Sequence, residues 1–273
     1  MNESGSDHFR ISSASLDLEA AVVPWDCAAF GFRVAQIYRI AVNSDPDAAA
    51  EYSSFHDWCE GGQIKLAACR LRHHKMQESM FLERHGFRFI EMVLHPCLAG
   101  LQARSIMADS LSVIRAAGED LPRLQGIAER AFGHERYHID PRVDRRRADL
   151  RYANWVRSSL DDERQNLFKV MDGNDVVGLF ITESGNSGDV HWHLTAIAPD
   201  FQGRGYGRRA WNAMLGLHRS EGCDRVTTTI SARNVAVLRL YGQMGFDFLP
   251  PEMTFHWFRD DPRPAVTPAR RAT

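Results

Sequence analysis

The alternation of apolar and polar residues is clearest in the second half of the chain, where it predicts strands and helices in turn. The predicted strands are the segments 111–116, 167–171, 176–182, 190–198, 225–230 and 253–259. The predicted helices are 121–132, 147–160, a segment from the glycines at 203–207 to about 220, and 234–244. The order β-α-α-β-β-β-α-β-α-β predicts an α/β fold with a mixed sheet. It differs from the strict strand–helix alternation of a doubly wound sheet.

The first half of the chain contains a weaker copy of this pattern. Segments 64–95 and 223–257 both give a strand, a helix, the dipeptide Gly-Phe and a second strand. We interpret this as a degenerate internal duplication, with a chance similarity of two common β-α-β patterns as the alternative. The glycine run at 203–207 has no counterpart in the first half. The aligned pairs are Gly86 with Gly245, Phe87 with Phe246, Leu71 with Ile230, and Leu82 with Tyr241.

The duplication predicts two domains, a shorter one at 19–104 and a complete one at 105–260. Residues 1–18 begin with a polar, acidic segment that does not resemble a signal peptide. Residues 261–273 are rich in Pro, Arg and Ala without periodicity. We expect both terminal segments to be disordered.

The composition narrows the class of protein. A formal net charge of −2 lacks the basic excess of a general nucleic-acid binder. No stretch approaches the roughly 20 apolar residues of a membrane span, so we expect no membrane partner. The odd number of cysteines, without a C-x-x-C pair, indicates reduced and mostly buried thiols in a cytoplasmic protein. These cysteines are Cys27, Cys59, Cys69, Cys97 and Cys223.

The segment "FQGRGYGRRAW" raises three interpretations of Gly203, Gly205 and Gly207. A dinucleotide-binding G-x-G-x-x-G turn requires the third glycine one residue later, and a P-loop requires a following G-K-[ST]. Neither pattern is present. The remaining interpretation is a turn whose backbone N–H groups and following helix N-terminus bind an anion. Arg204, Arg208 and Arg209 would add positive charge for a phosphate.

These residues resemble the GCN5-related N-acetyltransferase (GNAT) superfamily. Its signature [QR]-x-x-G-x-[GA] appears here as "QGRGYG", with Gln202, Gly205 and Gly207 in the signature positions. The later pattern of Asn234, Tyr241 and the Gly-Phe pair at 245–246 is similar to the same superfamily. The resemblance covers about 111–257 and implies a GNAT fold, with a degenerate, truncated GNAT-like domain before it.

The resemblance also implies acetyl-CoA as cofactor. The glycine turn would hold its pyrophosphate, and the end of strand 190–198 would pair with its pantetheine arm. Tyr241 would protonate the departing thiolate, and the backbone N–H of Ile197 would stabilise the developing oxyanion. Asn234 would both cap its helix and contact the cofactor. The residues so assigned are Thr195, Ala196, Ile197, Gln202, Gly203, Arg204, Gly205, Tyr206, Gly207, Arg208, Asn234 and Tyr241.

Two histidines are candidates for the general base. His191 precedes Ile197 by six residues, and regular strand alternation would place both on one face. His193 lies closer to the thioester and could act as base or line the acceptor pocket. Either histidine could instead have a purely structural role. A metal site at "HWH" lacks a third ligand at a convincing spacing.

Further segments resemble a two-part subgroup, the bacterial dTDP-fucosamine acetyltransferases. These are "VPWDCAAFGF", "AFGHERYHIDP" and "YANWVRSSL". The resemblance implies a dTDP-linked amino sugar as acceptor, with Arg136, Tyr137, Asp140 and Trp155 as candidate substrate-binding residues. His193 is a further candidate, as a side chain that lines the acceptor pocket. Cys27 and His138 depart from the subgroup pattern.

The sequence therefore predicts an N-acetyltransferase of the acyltransferase class that works by direct attack of a primary amine. No cysteine–histidine pair is suited to a covalent intermediate. Two alternatives stay open: acetylation of another small amine or a protein N-terminus, and a non-catalytic acyl-CoA-binding module. An edge strand near the C-terminus makes a homodimer plausible.

Overall fold

The computed structural model describes residues 7–107, 109–185 and 188–261. These residues form two compact units. The first contains the described residues up to Glu91 and again from Glu252, and the second is Met92–Pro251. Within the described ranges, no helix combines the length and apolar character that crossing a bilayer requires. Apart from Asp261, the tail that we expect to be disordered lies outside the described residues.

The first unit packs helices against a sheet with the order β1-β2-β3-β4-β12-β5. Its strands are β1 (His8–Ser12), β2 (Leu16–Val22), β3 (Arg33–Val42) and β4 (Ile64–Arg72), together with the start of β5 (Arg88–Leu98) and the end of β12 (Asp247–Phe258). Its helices are α1 (Pro24–Phe30), α2 (Asp45–Gly61) and α3 (Met76–Arg84). Strands β3 and β4 pair in parallel.

The N-terminal segment is ordered earlier than the sequence predicts. Strands β1 and β2 form an antiparallel pair in which Phe9 lies opposite Ala20. The Phe9 ring contacts Phe55 and Trp58 of α2, with centroids 5.5 and 5.3 Å away. The expectation of disorder for 1–18 is thus wrong for β1 and the start of β2. A five-residue strand is too short for a periodicity argument, and its apolar partners come from a distant helix.

The second unit has the sheet order β5-β10-β9-β8-β7-β6, and β11 pairs with β5. Its further strands are β6 (Ser112–Arg115), β7 (Gln165–Asp172), β8 (Asp175–Ser184), β9 (Asp189–Ile197), β10 (Arg225–Thr228) and β11 (Ile230–Ser231). Its helices are α4 (Leu121–Ala131), α5 (Arg136–Ile139), α6 (Arg145–Asp161), α7 (Tyr206–Ser220) and α8 (Val235–Gln243). The predicted α/β fold with a mixed sheet is confirmed.

Two apolar clusters cover the faces of the second sheet. The α7–α8 cluster includes Val190, Trp192, Trp211, Met214 and Tyr241. The α4–α6 cluster includes Leu124, Ile127, Val156, Leu194 and Ala196. Strand β8 serves both, since Phe180 lies in the first cluster while its neighbours Leu179 and Ile181 lie in the second. Successive side chains point to opposite faces of a strand, so a strand that is covered on both faces contributes to both clusters in turn.

Each unit repeats the same helix ending. Gly86 and Gly245 have φ angles of 89° and 78°. The N–H of the following Phe87 donates to the carbonyl of Leu82 at 3.0 Å, and that of Phe246 to Tyr241 at 3.1 Å. Both phenylalanines are buried. The two helices thus end with the same backbone geometry.

Strand β12 is not the edge strand that the sequence suggests. It pairs with β4 from Glu252 to Phe258, and in the order of strands it lies between β4 and β5. The argument for a homodimer from an exposed C-terminal edge is therefore wrong. The order of elements along the chain does not reveal this pairing, because β4 and β12 are separated by more than half of the sequence.

Candidate functional site

Strand β9 contains a β-bulge at His193. Thr182 of β8 lies opposite Trp192 and Ile181 lies opposite Leu194, so His193 is the additional residue on β9. The bulge changes which face the side chains occupy. Trp192 packs in the α7–α8 cluster, whereas Leu194 packs in the α4–α6 cluster.

The bulge overturns one prediction about the candidate base. Regular alternation would place His191 and Ile197 on the same face. Ile197 instead packs against the α7–α8 cluster, while the ring of His193 contacts Trp155 of α6, with centroids 5.9 Å apart. His191 lies on the His193 side, with ring centroids 4.8 Å apart. The two histidines and Ile197 therefore occupy opposite faces of β9.

The second half of β9 has an open edge. In the described part of the chain, its parallel pairing with β10 begins at Asp189 and Arg225 and ends at Trp192 and Thr228. Beyond that point β9 continues to Ile197, paired on its other side with β8. Separating parallel strands leave a gap in which an extended chain can add main-chain hydrogen bonds.

The hydrogen-bond alternation of β8 and β9 shows which N–H groups face this gap. The Ala198 N–H donates to the carbonyl of Val177 at 2.9 Å. Adjacent antiparallel pairs alternate between bonded and non-bonded, so Ile197, opposite Gly178, forms a non-bonded pair. The same holds two residues earlier for Thr195. The N–H groups of Thr195 and Ile197 therefore point away from β8, toward the open edge.

The glycine turn begins where β9 ends. The Gln202 side chain reaches back, and its Nε2 donates to the Ile197 carbonyl at 2.9 Å. Gly203 and Gly205 have φ angles of 71° and 82°, in the left-handed region that favours glycine. A Cβ at either position would meet no atom within 4 Å, so space remains in front of this backbone.

The N-terminus of α7 differs from those of α6 and α8. Its N-cap residue is Gly205, and no side chain caps it. Asp144 caps α6, and Asn234 caps α8 by accepting from the Val237 N–H at 3.3 Å. The first N–H groups of a helix have no partner within the helix and carry partial positive charge. The turn thus presents such groups beside open space, which suits an anion.

The remaining residues of the turn are held by neighbours. Tyr206 donates its hydroxyl to Asp172 at 2.8 Å. Arg208 donates to the Gln243 side chain at 2.6 Å, and Arg204 donates to the Asp200 carbonyl at 3.2 Å. Gly207 lies inside α7, where a Cβ would meet Leu240 of α8 at 3.4 Å. Gly207 therefore serves close helix packing, unlike Gly203 and Gly205.

Tyr241 of α8 reaches the point where β9 and β10 separate. It is almost fully buried. Burial raises the pKa of its phenol above the usual value, while hydrogen bonding to Trp211, Thr228 and Thr195 opposes that rise. The phenol is therefore protonated at neutral pH. It lies between Thr228, the last paired residue of β10, and Thr195, whose N–H is the first to face the open edge.

A cluster of polar side chains lies on the opposite face of β9. His191 Nδ1 and Thr227 Oγ1 are 2.9 Å apart. Burial, with a smaller contribution from His193, lowers the pKa of the His191 imidazole to about 4. His193 Nε2 lies 2.8 Å from Glu183 Oε2. Sequence reasoning missed Glu183. Glu183 could have been found from the pairing of β8 with β9, because the register of this hairpin places it opposite His191.

The candidate acceptor residues are only partly brought together. Trp155 lies beside His193, and its Nε1 donates to Gln165 at 3.2 Å. Tyr137 and Asp140 are buried, and Asp140 pairs with Arg142 at 2.8 Å. The segment around them contains the short helix α5. Buried side chains cannot contact an acceptor in this conformation, so Tyr137 and Asp140 hold the loop.

Two arginines lie over the aromatic side chains of this region. The guanidinium of Arg136 lies 4.5 Å from the Tyr137 ring centroid. That of Arg151 lies 5.2 Å from Tyr137 and 5.5 Å from Trp155. Arg151 was not predicted as a site residue. Its position links the loop to the side of β9 that carries His193.

Replacing Gly178 with Ala is expected to destabilise the site by displacing the end of β9. A Cβ at this position would lie 2.6 Å from the Ala196 carbonyl oxygen, which belongs to the backbone. We expect a loss of about 1–3 kcal/mol in the free energy of unfolding, measured by chemical denaturation. Gly126→Ala is the matched control, since α4 leaves open space there, and it is expected to stabilise slightly. Equal stability of the two variants would contradict the expected clash.

Comparisons with known proteins agree with this geometry. Residues 124–246 match the model of the acetyltransferase (GNAT) family. This segment includes the open edge of β9, the glycine turn and Tyr241. Among curated proteins, none matches the chain by sequence.

Solved structures of similar fold include GCN5-related N-acetyltransferases from Sphaerobacter thermophilus and Kribbella flavida. The first has a TM-score of 0.60 at 14% identity and covers 89% of this chain and 80% of that chain. The second has a TM-score of 0.59 at 10% identity, covering 92% and 89%. A third is the glucosamine N-acetyltransferase region of a fungal multi-domain GH3 β-N-acetylglucosaminidase, with a TM-score of 0.64 at 11% identity, covering 89% and 31%. At these identities the similarity concerns the fold alone.

Proposed function

We propose that the protein is an N-acetyltransferase of the acyltransferase class that transfers acetyl from acetyl-CoA to a primary amine by direct attack, because residues 124–246 match the model of the acetyltransferase (GNAT) family. The observation that carries this proposal is the open edge of β9, flanked by the glycine turn at one end and Tyr241 at the other.

The residues present fit acetyl-CoA. The uncapped N-terminus of α7 and the open space before Gly203 and Gly205 suit a pyrophosphate. The N–H groups of Thr195 and Ile197 suit the amide groups of a pantetheine arm. Asn234, Arg204, Tyr206 and Arg208 remain proposed cofactor residues, and Gly207 is proposed to act through helix packing. Ala196 is not kept, because its N–H faces β8 and its side chain packs in the α4–α6 cluster. When bound, acetyl-CoA supplies an activated acetyl thioester.

We propose that groups on the two sides of β9 carry out different steps of the transfer. The Ile197 N–H is proposed to stabilise negative charge that develops on the acyl oxygen at the open edge. Tyr241 is proposed to donate its proton to the departing sulfur from the α7–α8 side. The histidines lie on the other side and are the candidates for taking a proton from the amine.

His191 is poorly suited to take that proton directly. Its pKa is about 4, whereas an alkylammonium such as that of lysine has a pKa of about 10.4. One pKa unit corresponds to about 1.4 kcal/mol, so the transfer would be uphill by about 9 kcal/mol. His191 is instead a neighbour of His193 that remains neutral throughout the physiological pH range.

For the acceptor, we propose a nucleotide-linked amino sugar. Trp155 offers an aromatic surface beside His193, and Arg151 lies over that ring at 5.5 Å. A planar guanidinium suits the diphosphate of a sugar nucleotide. The segments similar to dTDP-fucosamine acetyltransferases contribute Arg136 and Trp155 to this region. One protein of similar fold is itself a glucosamine N-acetyltransferase region, which supports including simple amino sugars in a test.

Thiol release from acetyl-CoA is expected to be fastest with a dTDP-linked 4-amino-4,6-dideoxy sugar. The comparison acceptors are glucosamine, spermidine and a peptide with a free N-terminus. Turnover that favours the peptide or spermidine would contradict the acceptor proposal while retaining acetyl transfer. CoA binding by calorimetry without turnover on any amine would contradict the enzymatic proposal and favour a non-catalytic acyl-CoA-binding module.

A further inference from the structure

We infer that Glu183 is a positioning residue that holds His193 as the base for the acceptor amine. The inference rests on the acetyl transfer proposed above. Neither sequence motifs nor the comparisons assign a role to Glu183, which lies near the end of β8 outside every recognised motif. Its carboxylate is 2.8 Å from the imidazole of His193.

The contact fixes which ring nitrogen of His193 is free to act. Glu183 Oε2 faces His193 Nε2, and an ionised carboxylate can only accept a hydrogen bond. Nε2 therefore carries the hydrogen, and the lone pair resides on Nδ1. A carboxylate that orients an imidazole in this way also stabilises the imidazolium once a proton arrives. The positioning residue thus selects the tautomer and favours proton uptake.

The location of His193 suits a base better than that of His191. The Nδ1 of His191 is occupied by Thr227 Oγ1, and His191 is half-buried. His193 is the bulged residue of β9, and its side chain is 24% exposed, which leaves a path for an incoming amine. Bulges often re-aim a side chain beside an active site. Two residues further on, the Thr195 N–H faces the open edge.

Other charged groups surround the pair. His191 lies beside His193 on β9, and Asp162 and Arg164 follow α6 and interact with His193 and Glu183 respectively. The charge of His95 of β5 makes a small contribution to lowering the pKa of His191. Glu183 is 38% exposed, so solvent screens its charge. Orientation of the ring is therefore the larger part of its role.

The proton balance of the step is simple. The ammonium group of the acceptor loses one proton to His193 Nδ1, and its nitrogen gains a lone pair for attack. His193 becomes an imidazolium that is hydrogen-bonded to Glu183. The proton then leaves to solvent through the exposed part of the ring, which restores the neutral base.

The first test compares turnover of Glu183→Ala and His193→Gln on the best acceptor of the amine panel. We expect Glu183→Ala to lower kcat/KM for the amine about 10- to 100-fold, with CoA binding unchanged, and Glu183→Asp to recover part of the loss. A double variant should be no slower than His193→Gln, because the two residues act as one unit. Additive losses, or wild-type turnover in either single variant, would overturn the inference.

Glu221→Ala is the matched control. Glu221 pairs with His218 at 3.3 Å at the end of α7, away from the open edge. The Glu221→Ala substitution removes the carboxylate from a different histidine–carboxylate pair, so kcat/KM should stay at the wild-type value.

The second test does not need turnover. Ring ¹⁵N NMR of the CoA-bound protein should show His193 with its hydrogen on Nε2, and Glu183→Ala should lose this tautomer preference. The His193→Gln spectrum identifies the signal. An unchanged tautomer in Glu183→Ala would overturn the inference even if no acceptor is found. An intact signature without turnover on any amine would instead contradict the proposed acetyl transfer.

Discussion

Tyr241→Phe is expected to lower kcat about 100- to 1,000-fold while leaving the Kd for CoA unchanged. The substitution removes only the hydroxyl, so the departing sulfur would lose its proposed proton donor. Positioned general acids contribute on this scale. Rapid thiol-release assays would measure kcat, and calorimetry would measure CoA binding.

The packing around Tyr241 indicates that this variant folds. The ring contacts Phe246 at 4.8 Å and Trp211 at 6.3 Å between centroids, and phenylalanine preserves both contacts. The cost is the loss of hydrogen bonding to Trp211, Thr228 and Thr195, about 1 kcal/mol for each bond.

Tyr52→Phe is the matched control for the Tyr241 variant. Tyr52 is a fully buried tyrosine of the first unit, and its hydroxyl has no hydrogen-bond partner in the described part of the chain. The control should keep wild-type kcat. Equal kcat for Tyr241→Phe and the wild type would show that another group protonates the sulfur.

The fold of the second unit could be predicted largely from the sequence because its elements carry regular periodicity. Strand β8 alternates between two apolar clusters, and α7 begins at the glycine turn as predicted. The hairpin of β1 and β2 could not be predicted in this way. Its stability depends on Phe9 contacting Phe55 and Trp58, which lie more than 40 residues away in sequence.

In the candidate site, too, local features could be predicted from the sequence, whereas features that depend on strand pairing could not. The cap by Asn234 and the left-handed glycines 203 and 205 follow from local chemistry, and the structure shows both. The bulge at His193 inserts a residue into one strand only, so no period in β9 reveals it. Its consequence, the separation of His191 from Ile197 by a change of face, required the register with β8.

Burial also limited prediction in the acceptor loop. The segment "HERYHID" is polar in sequence, yet Tyr137 is fully buried between arginine side chains. His138 is likewise buried, 3.0 Å from Asp149 and 3.3 Å from Glu135. Polar groups that contact one another can be enclosed, and residue type alone does not show which of them will be.

Gly205→Ala is expected to weaken CoA binding about 10- to 100-fold. The methyl group would enter the open space before the first N–H groups of α7, where the pyrophosphate is proposed to bind. Loss of one charge-assisted hydrogen bond costs about 1.5–3 kcal/mol, and 1.4 kcal/mol corresponds to a tenfold change in Kd. Calorimetric titration with CoA measures the effect directly.

Gly222→Ala separates this effect from backbone strain. Gly222 follows the other end of the same helix, has a φ of 83° against 82° for Gly205, and also faces open space. Both variants place alanine in the left-handed region, at a cost of about 1–2 kcal/mol in the free energy of unfolding. They should therefore melt at similar temperatures, yet only Gly205→Ala should lose affinity for CoA. If the two variants bind CoA equally well, the N-terminus of α7 does not hold the pyrophosphate, because strain alone would then account for every difference from the wild type.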